Sequence, residues 1–280
     1  MSASQGATRQ SQLQVKDLCK SFSESTRPVT AYQDLNLEVK AGEFFCILGP
    51  SGCGKTTFLR TLAGLEPQTS GEVIFQTITG EATPGQIQSQ PNIGMVFQEQ
   101  GLFPWMSVTD NVLFPLQNNP AFKDKNLRVI VEPLLQALGL SRFAHLYPHQ
   151  LSGGMRQRVS IARSFAVQPD LLLMDEPFVF LDFQTRVRLQ ALLLDLWRES
   201  QHTIIFVTHD IYEAVLLADR VMVMTAHPGK VKYIMTIDLP RPRDVLSIPH
   251  TQQYNHYVED LTQLIREEWQ DDMQVATVPV

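Results

Sequence analysis

Residues Gly49-Pro50-Ser51-Gly52-Cys53-Gly54-Lys55-Thr56 spell a phosphate-binding loop, G-x-x-x-x-G-K-[ST], without a mismatch. The run before it, Phe44–Leu48, is short and apolar and predicts a buried strand; the run after it, Thr56–Ala63, predicts a helix. A glycine loop between a strand and a helix confines the chain to an α/β fold. Gly49, Gly52 and Gly54 let the backbone bend so that several N–H groups face one point. The start of the next helix adds partial positive charge there. Lys55 supplies a full charge for β- and γ-phosphates, Thr56 a hydroxyl for Mg²⁺, and Thr57 a hydrogen bond to a phosphate oxygen. Kinases, GTPases and transport ATPases share such a loop, so it does not choose among them.

The chain has 280 residues, 44% of them hydrophobic, enough for one large α/β domain or two small ones. Its formal net charge of −6 argues against a broad nucleic-acid surface, so no nucleic-acid partner is expected. Cys19, Cys46 and Cys53 have no metal-ligand spacing, which fits a reducing compartment. Residues 1–12 are polar and rich in Ser and Gln; they lack the apolar stretch of a signal peptide and are expected to be a disordered tail. No apolar run approaches the roughly 20 residues of a membrane span. Any service to a membrane is therefore expected to run through other chains.

Residues 13–18 and Leu35–Val39 alternate apolar and polar, predicting antiparallel strands beside the parallel core. Phe22, between them, reads equally as a purine-stacking ring or a rim hydrophobe. From Val108 to about Phe143 the pattern is helical, broken by Pro115, Pro120 and Pro133. Several apolar strands end in a functional side chain: Gln98, Asp175-Glu176 and His209. Ligands of a parallel sheet bind beyond the carboxyl ends of its strands, so these groups can converge on the phosphate loop. Asp175 can hold Mg²⁺ opposite Thr56, or cap a helix ahead of Pro177. Glu176, pointing the other way along the strand, can orient or deprotonate an attacking water. His209 can bond a γ-phosphate, and Gln98 can reach Mg²⁺ and the water. Ser152-Gly153-Gly154 is a second glycine turn at a predicted helix start, hence a second anion site. If two copies pack head to tail, each copy's Ser152 turn can cap the nucleotide held by the other's Lys55.

With these elements in this order, residues 13–240 resemble the ATPase subunit of ATP-binding cassette (ABC) transporters. Phe22 falls at the family's adenine-stacking aromatic, Gly49–Thr57 at its Walker A loop, and Gln98 at its Q-loop. Leu151–Met155 matches the LSGGQ signature, Leu171–Asp175 the Walker B strand, and Glu176 the catalytic base. Asp182 matches the D-loop and His209 the switch histidine. Gln98-Glu99-Gln100-Gly101-Leu102-Phe103-Pro104-Trp105 and Asp238–Asp244 are similar to segments of nitrate/sulfonate/taurine/bicarbonate importers. The resemblance implies a P-loop NTPase fold, with a RecA-like core, an antiparallel β subdomain, and a helical signature subdomain near 99–165. It implies ATP and Mg²⁺ as ligands. Its implied partners are a second ABC ATPase subunit (identical or homologous), two transmembrane permease subunits and an extracytoplasmic solute-binding protein. The implied location is peripheral, on the cytoplasmic face of the cell membrane. Residues 241–280 are left as a C-terminal extension with an amphipathic helix from about Tyr254 to Trp269.

Two departures stand out. Met155 replaces the signature's usual Gln, and Val179-Phe180 replace two small residues before Leu181-Asp182, with Phe183 following. These bulky groups are expected where two copies meet. Rival readings are a soluble cassette ATPase, a nucleotide-gated scaffold, and an exporter subunit. The spacing from Lys55 to Ser152 leaves no room for a long coiled coil, which argues against the first. The presence of Glu176 and His209 argues against the second.

Overall fold

The computed structural model describes residues 10–23, 28–78 and 91–276; the expected tail from 1 to 9 and the Gln/Thr/Gly/Pro-rich stretch from 79 to 90 lie outside them. In chain order the strands are β1 (Gln10–Phe22), β2 (Val29–Val39), β3 (Phe44–Leu48), β4 (Ser70–Ile78), β5 (Ile93–Val96), β6 (Leu171–Asp175), β7 (Thr203–Thr208), β8 (Arg220–Met224) and β9 (Val231–Thr236). The helices are α1 (Lys55–Leu62), α2 (Val108–Gln117), α3 (Arg128–Ala137), α4 (Gly153–Ala166), α5 (Phe183–Ser200), α6 (Ile211–Leu217) and α7 (Gln252–Ala276). A six-stranded sheet runs β5-β6-β7-β3-β8-β9, parallel except for the antiparallel pair β8–β9 at its edge. A smaller antiparallel sheet runs β2-β1-β4. The fold is that of a P-loop NTPase with a RecA-like core, an antiparallel β layer and a helical subdomain.

Strands β3, β6 and β7 are buried at every residue, because helices or the second sheet cover both faces. Their apolar runs are therefore unbroken rather than alternating. Along β3 the side chains still alternate between two cores. Phe44, Cys46 and Leu48 pack with α2 to α7, whereas Phe45 and Ile47 pack with α1, β1 and β2. Each buried phenylalanine contributes roughly 1.5–3 kcal/mol. The sheet thus has a rigid middle, and β3 ends at Leu48, where the glycine loop leaves it.

Four expectations need correction. The tail was expected to reach residue 12, but β1 begins at Gln10, and Ser11 is fully buried. β1 and β2 run well past the alternating segments, because bulges interrupt the alternation. Asp17 (φ 46°) and Asp34 (φ 53°) adopt left-handed backbone there, and the register shifts between Val15 and Lys20. Pro115 and Pro133 lie inside α2 and α3 rather than ending them; packing against α4 holds both helices despite a lost backbone bond. The C-terminal helix starts at Gln252, two residues early, and buries Tyr254, Val258, Leu261 and Ile265 along one face. Among the described residues, no helix is long and apolar enough to cross a membrane.

Candidate functional site

The phosphate loop is shaped by steric necessity. Gly52 (φ 81°) and Gly54 (φ 95°) adopt backbone that other residues rarely take, and a Cβ on Gly54 would lie 2.6 Å from the Ala31 carbonyl oxygen. Gly54 is also the N-cap of α1 and offers no capping side chain. The N–H groups of Lys55, Thr56 and Thr57, in the first turn, have no helical carbonyl to bond. That leaves a ring of donors at the head of a helix dipole. The Lys55 ammonium is buried and donates to the carbonyl oxygens of Gly49 (2.7 Å) and Pro50 (2.8 Å). Those oxygens are where phosphate oxygens would compete for it.

A cleft of about 380 Å³ opens at this loop. Ser51, Gly52, Gly54, Lys55, Thr56 and Thr57 of the loop line it, together with Phe22, Val29, Thr30 and Ala31 and with Gln98 and Glu176. Gly49, Pro50 and Cys53 shape the loop without lining the cleft. The Cys53 thiol is buried in the core, which pushes its pKa up, so Cys53 offers only backbone to a ligand. Phe22, the last residue of β1, is part-exposed, with the Lys20 ammonium 4.6 Å from its ring centre.

Asp175 ends β6 and accepts a hydrogen bond from Thr56 Oγ1 at 3.0 Å. Burial pushes its carboxyl above the ordinary range, against the lowering effect of the Thr56 bond. A buried carboxylate and a hydroxyl this close to a phosphate loop suit a divalent cation whose remaining ligands are phosphates and water. Gln98 follows β5 by two residues. Strand alternation predicts Glu176 on the strand's opposite side; instead it lies beyond the strand in left-handed backbone (φ 42°), its N–H donating to Val207 O at 3.0 Å. Its direction is thus set by a turn, not by strand alternation. Its Oε2 is 3.1 Å from Nδ1 of His209, the residue after β7. The two neighbouring strand ends, β6 and β7, bring this pair together.

Ser152, Gly153, Gly154 and Asp182 do not line the cleft. Ser152 Oγ caps α4, accepting from Met155 N at 3.3 Å, and Asp182 caps α5, accepting from Thr185 N at 3.0 Å. That bond holds the exposed Asp182 carboxyl below its usual range. A Cβ on Gly154 would collide with the Thr185 methyl, so the two caps sit on one packed surface. Phe180 and Phe183 stand exposed beside Asp182.

Sequence reasoning missed three features. Thr208 Oγ1 donates to Glu213 Oε2 at 2.7 Å, and Arg186 reaches Asp210 at 3.2 Å, tying α5 to the helix that follows His209. Arg243, buried, donates to the carbonyls of Val215, Leu216 and Ala218 at the end of α6. His227, in the β8–β9 turn, lines the cleft. A turn is legible in His227-Pro228-Gly229, but nothing in the sequence joins it to the phosphate loop.

The sequence profile described as "ABC transporter" matches residues 32–179. An uncharacterised ABC transporter ATP-binding protein of Methanocaldococcus jannaschii is 43% identical, over 91% of this chain and 92% of that one. The nitrate import ATP-binding protein of Synechocystis sp. is 40% identical, over 91% and 95%. The aliphatic sulfonates import ATP-binding protein of Bacillus cereus is 41% identical, over 83% and 89%. Among solved structures, a dimeric ATP-binding cassette in a post-hydrolysis state with ADP and phosphate superposes with a TM-score of 0.69 at 33% identity. That match covers 81% of this chain and all of the other.

Proposed function

The chain belongs to the ABC transporter family as an ATP-binding, ATP-hydrolysing subunit, and from that premise we propose that it powers uptake of a small anionic or zwitterionic solute. The solute class is of the nitrate, bicarbonate, sulfonate or taurine type. The relatives that import nitrate and aliphatic sulfonates support this reading, as do the segments Gln98–Trp105 and Asp238–Asp244. In the proposed assembly the subunit lies peripherally on the cytoplasmic face of the membrane. It pairs with a second ATPase subunit beneath two permease subunits fed by an extracytoplasmic solute-binding protein. Trp105, 70% exposed, and the neighbouring Phe103 offer an aromatic surface for a permease.

One observation carries the mechanism: the cleft gathers Lys55, Thr56, Gln98 and Glu176, while the Ser152 turn lies elsewhere. One chain thus holds half of each of two sites, and a second copy completes both. Phe22 stacks the adenine. The loop N–H groups and Lys55 hold the phosphates and stabilise charge that develops on the γ-phosphoryl oxygens. Thr56, Asp175 and Gln98 would hold Mg²⁺, and the ion would supply positive charge that offsets the phosphates. Glu176 accepts a proton from the attacking water, and His209 orients that carboxylate through their shared hydrogen bond. The partner's Ser152 turn and Asp182 close over the nucleotide, burying it from water.

The test is Glu176→Gln. The variant should bind ATP and accumulate as an ATP-held dimer with turnover reduced at least about 100-fold, the usual scale for a lost general base. Turnover at the parental rate, or an ATP-bound species that stays monomeric at every concentration, would refute the mechanism. The importer reading is tested separately, by whether membrane permeases co-purify with the native chain.

A further inference from the structure

Resting on the reading of this cleft as the ATP site, we propose that His227 is a further nucleotide contact, donating a hydrogen bond to the phosphate–ribose stretch. His227 belongs to none of the motifs that carry the family resemblance. The turn that bears it is fastened from within: Thr225 N donates to Lys230 O at 3.0 Å, and Thr225 Oγ1 donates to Pro228 O at 3.0 Å. It is also fastened to its neighbours. Gly229 N donates to Ala31 O at 3.0 Å, and Gln33 N donates to Gly229 O at 2.9 Å. Gly229 packs so closely on the Cys53 carbonyl that no Cβ fits between them. The turn is therefore wedged between the phosphate loop and β2, and it forms one wall of the cleft.

The His227 imidazole stands over Gly52. Its Cε1 would be 3.3 Å, and its Nε2 3.7 Å, from a Cβ placed on that glycine. Because Gly52 carries no side chain, the ring comes close to the loop's backbone. Phe22, Gly52, Glu176 and His227 all line this one cleft, so a nucleotide that fills it lies against the imidazole. The ring is exposed on that surface. Whichever tautomer it adopts, an imidazole carries at least one N–H donor, and when protonated it adds a positive charge. Both suit an anionic polyphosphate, and neither is expected of a turn that serves only to link two strands.

Calorimetric titration of the full chain with Mg·ATP tests this, with parent, His227→Ala, His227→Arg and a Lys55→Ala control. His227→Ala should raise the ATP Kd about three- to tenfold, the range for one partly exposed hydrogen bond. His227→Arg should bring it back to within about twofold of the parent or tighter, because it restores a donor with charge. A merely structural role for the imidazole would not be rescued by arginine. If Ala and Arg variants both bind as the parent does while Lys55→Ala loses binding, His227 is no contact and the cleft reading stands. If the parent itself binds no ATP, the cleft reading fails and this proposal with it.

Discussion

Replacing Gly229 with alanine puts a methyl group against the phosphate loop from behind. Gly229 does not use left-handed backbone, so the cost is steric rather than conformational. The new Cβ would meet the Cys53 carbonyl oxygen well inside van der Waals contact, Met224 Cε at 2.7 Å and Ala31 O at 3.3 Å. Met224 can swing its terminal methyl aside. Cys53 O is backbone and cannot yield without moving the loop. Carbon–oxygen contacts normally start at about 3.3 Å, so that carbonyl must retreat by about 1 Å. Overpacking of this kind costs about 1–3 kcal/mol of stability. The shift also reaches the N–H groups of the loop, and a misplacement of about 1 Å can cost up to about 100-fold in rate. Urea unfolding reads the first effect; ATP titration and phosphate release read the second. Gly64→Ala is the control: its Cβ meets nothing within 4 Å, so it should cost about 1 kcal/mol from its left-handed φ and leave ATP affinity alone. Parental stability and parental kcat/KM in Gly229→Ala would refute the wedge.

Burial pushes the Glu213 carboxyl from its ordinary 4.5 up to about 7, despite the Thr208, Arg186 and Gln190 contacts. The folded chain therefore holds a proton that the unfolded chain releases, and this contribution, complete below the unfolded value, is lost as pH rises through about 7. Glu213→Gln should gain on the parent by up to about 3 kcal/mol between pH 5 and 8 in urea unfolding; parallel pH profiles would sink the idea. Gly154→Ala should lower ATPase activity at least about tenfold by driving the signature turn off α5. Thr185→Ser in the same chain removes the methyl it strikes and should recover most of the loss; no recovery would place the defect elsewhere. Arg243→Ala strips the carbonyls at the end of α6 of their buried donor and should cost about 2–4 kcal/mol by urea unfolding. Lysine at 243 should recover only part, because an ammonium has three donors for the five carbonyls that the guanidinium reaches; full recovery would contradict that.

Much of the site was legible because its demands are local. A loop that wraps phosphate needs glycine where the backbone turns left-handed, lysine for charge and threonine for a hydroxyl, all within nine residues. Asp175 and His209 were legible because β6 and β7 are unbroken apolar runs whose ends are easy to find. Where the backbone departs from a regular period, reading by period failed. The bulges at Asp17 and Asp34 hid the full length of β1 and β2, and the left-handed turn at Glu176 misdirected its side chain.

Sequence alone determined the phosphate loop, the strands that feed it and the presence of a second glycine turn, because each is written in neighbouring residues. Tertiary structure alone decided which distant groups meet. It set the Glu176–His209 pair, the Gly154–Thr185 contact, the Arg186–Asp210 link from α5 to the cap of α6, and the His227 wall of the cleft. Those contacts join segments far apart in the chain, and their partners are selected by packing of the two cores on either side of β3. No spacing or composition rule encodes that choice, because it depends on three-dimensional fit rather than on the order of residues.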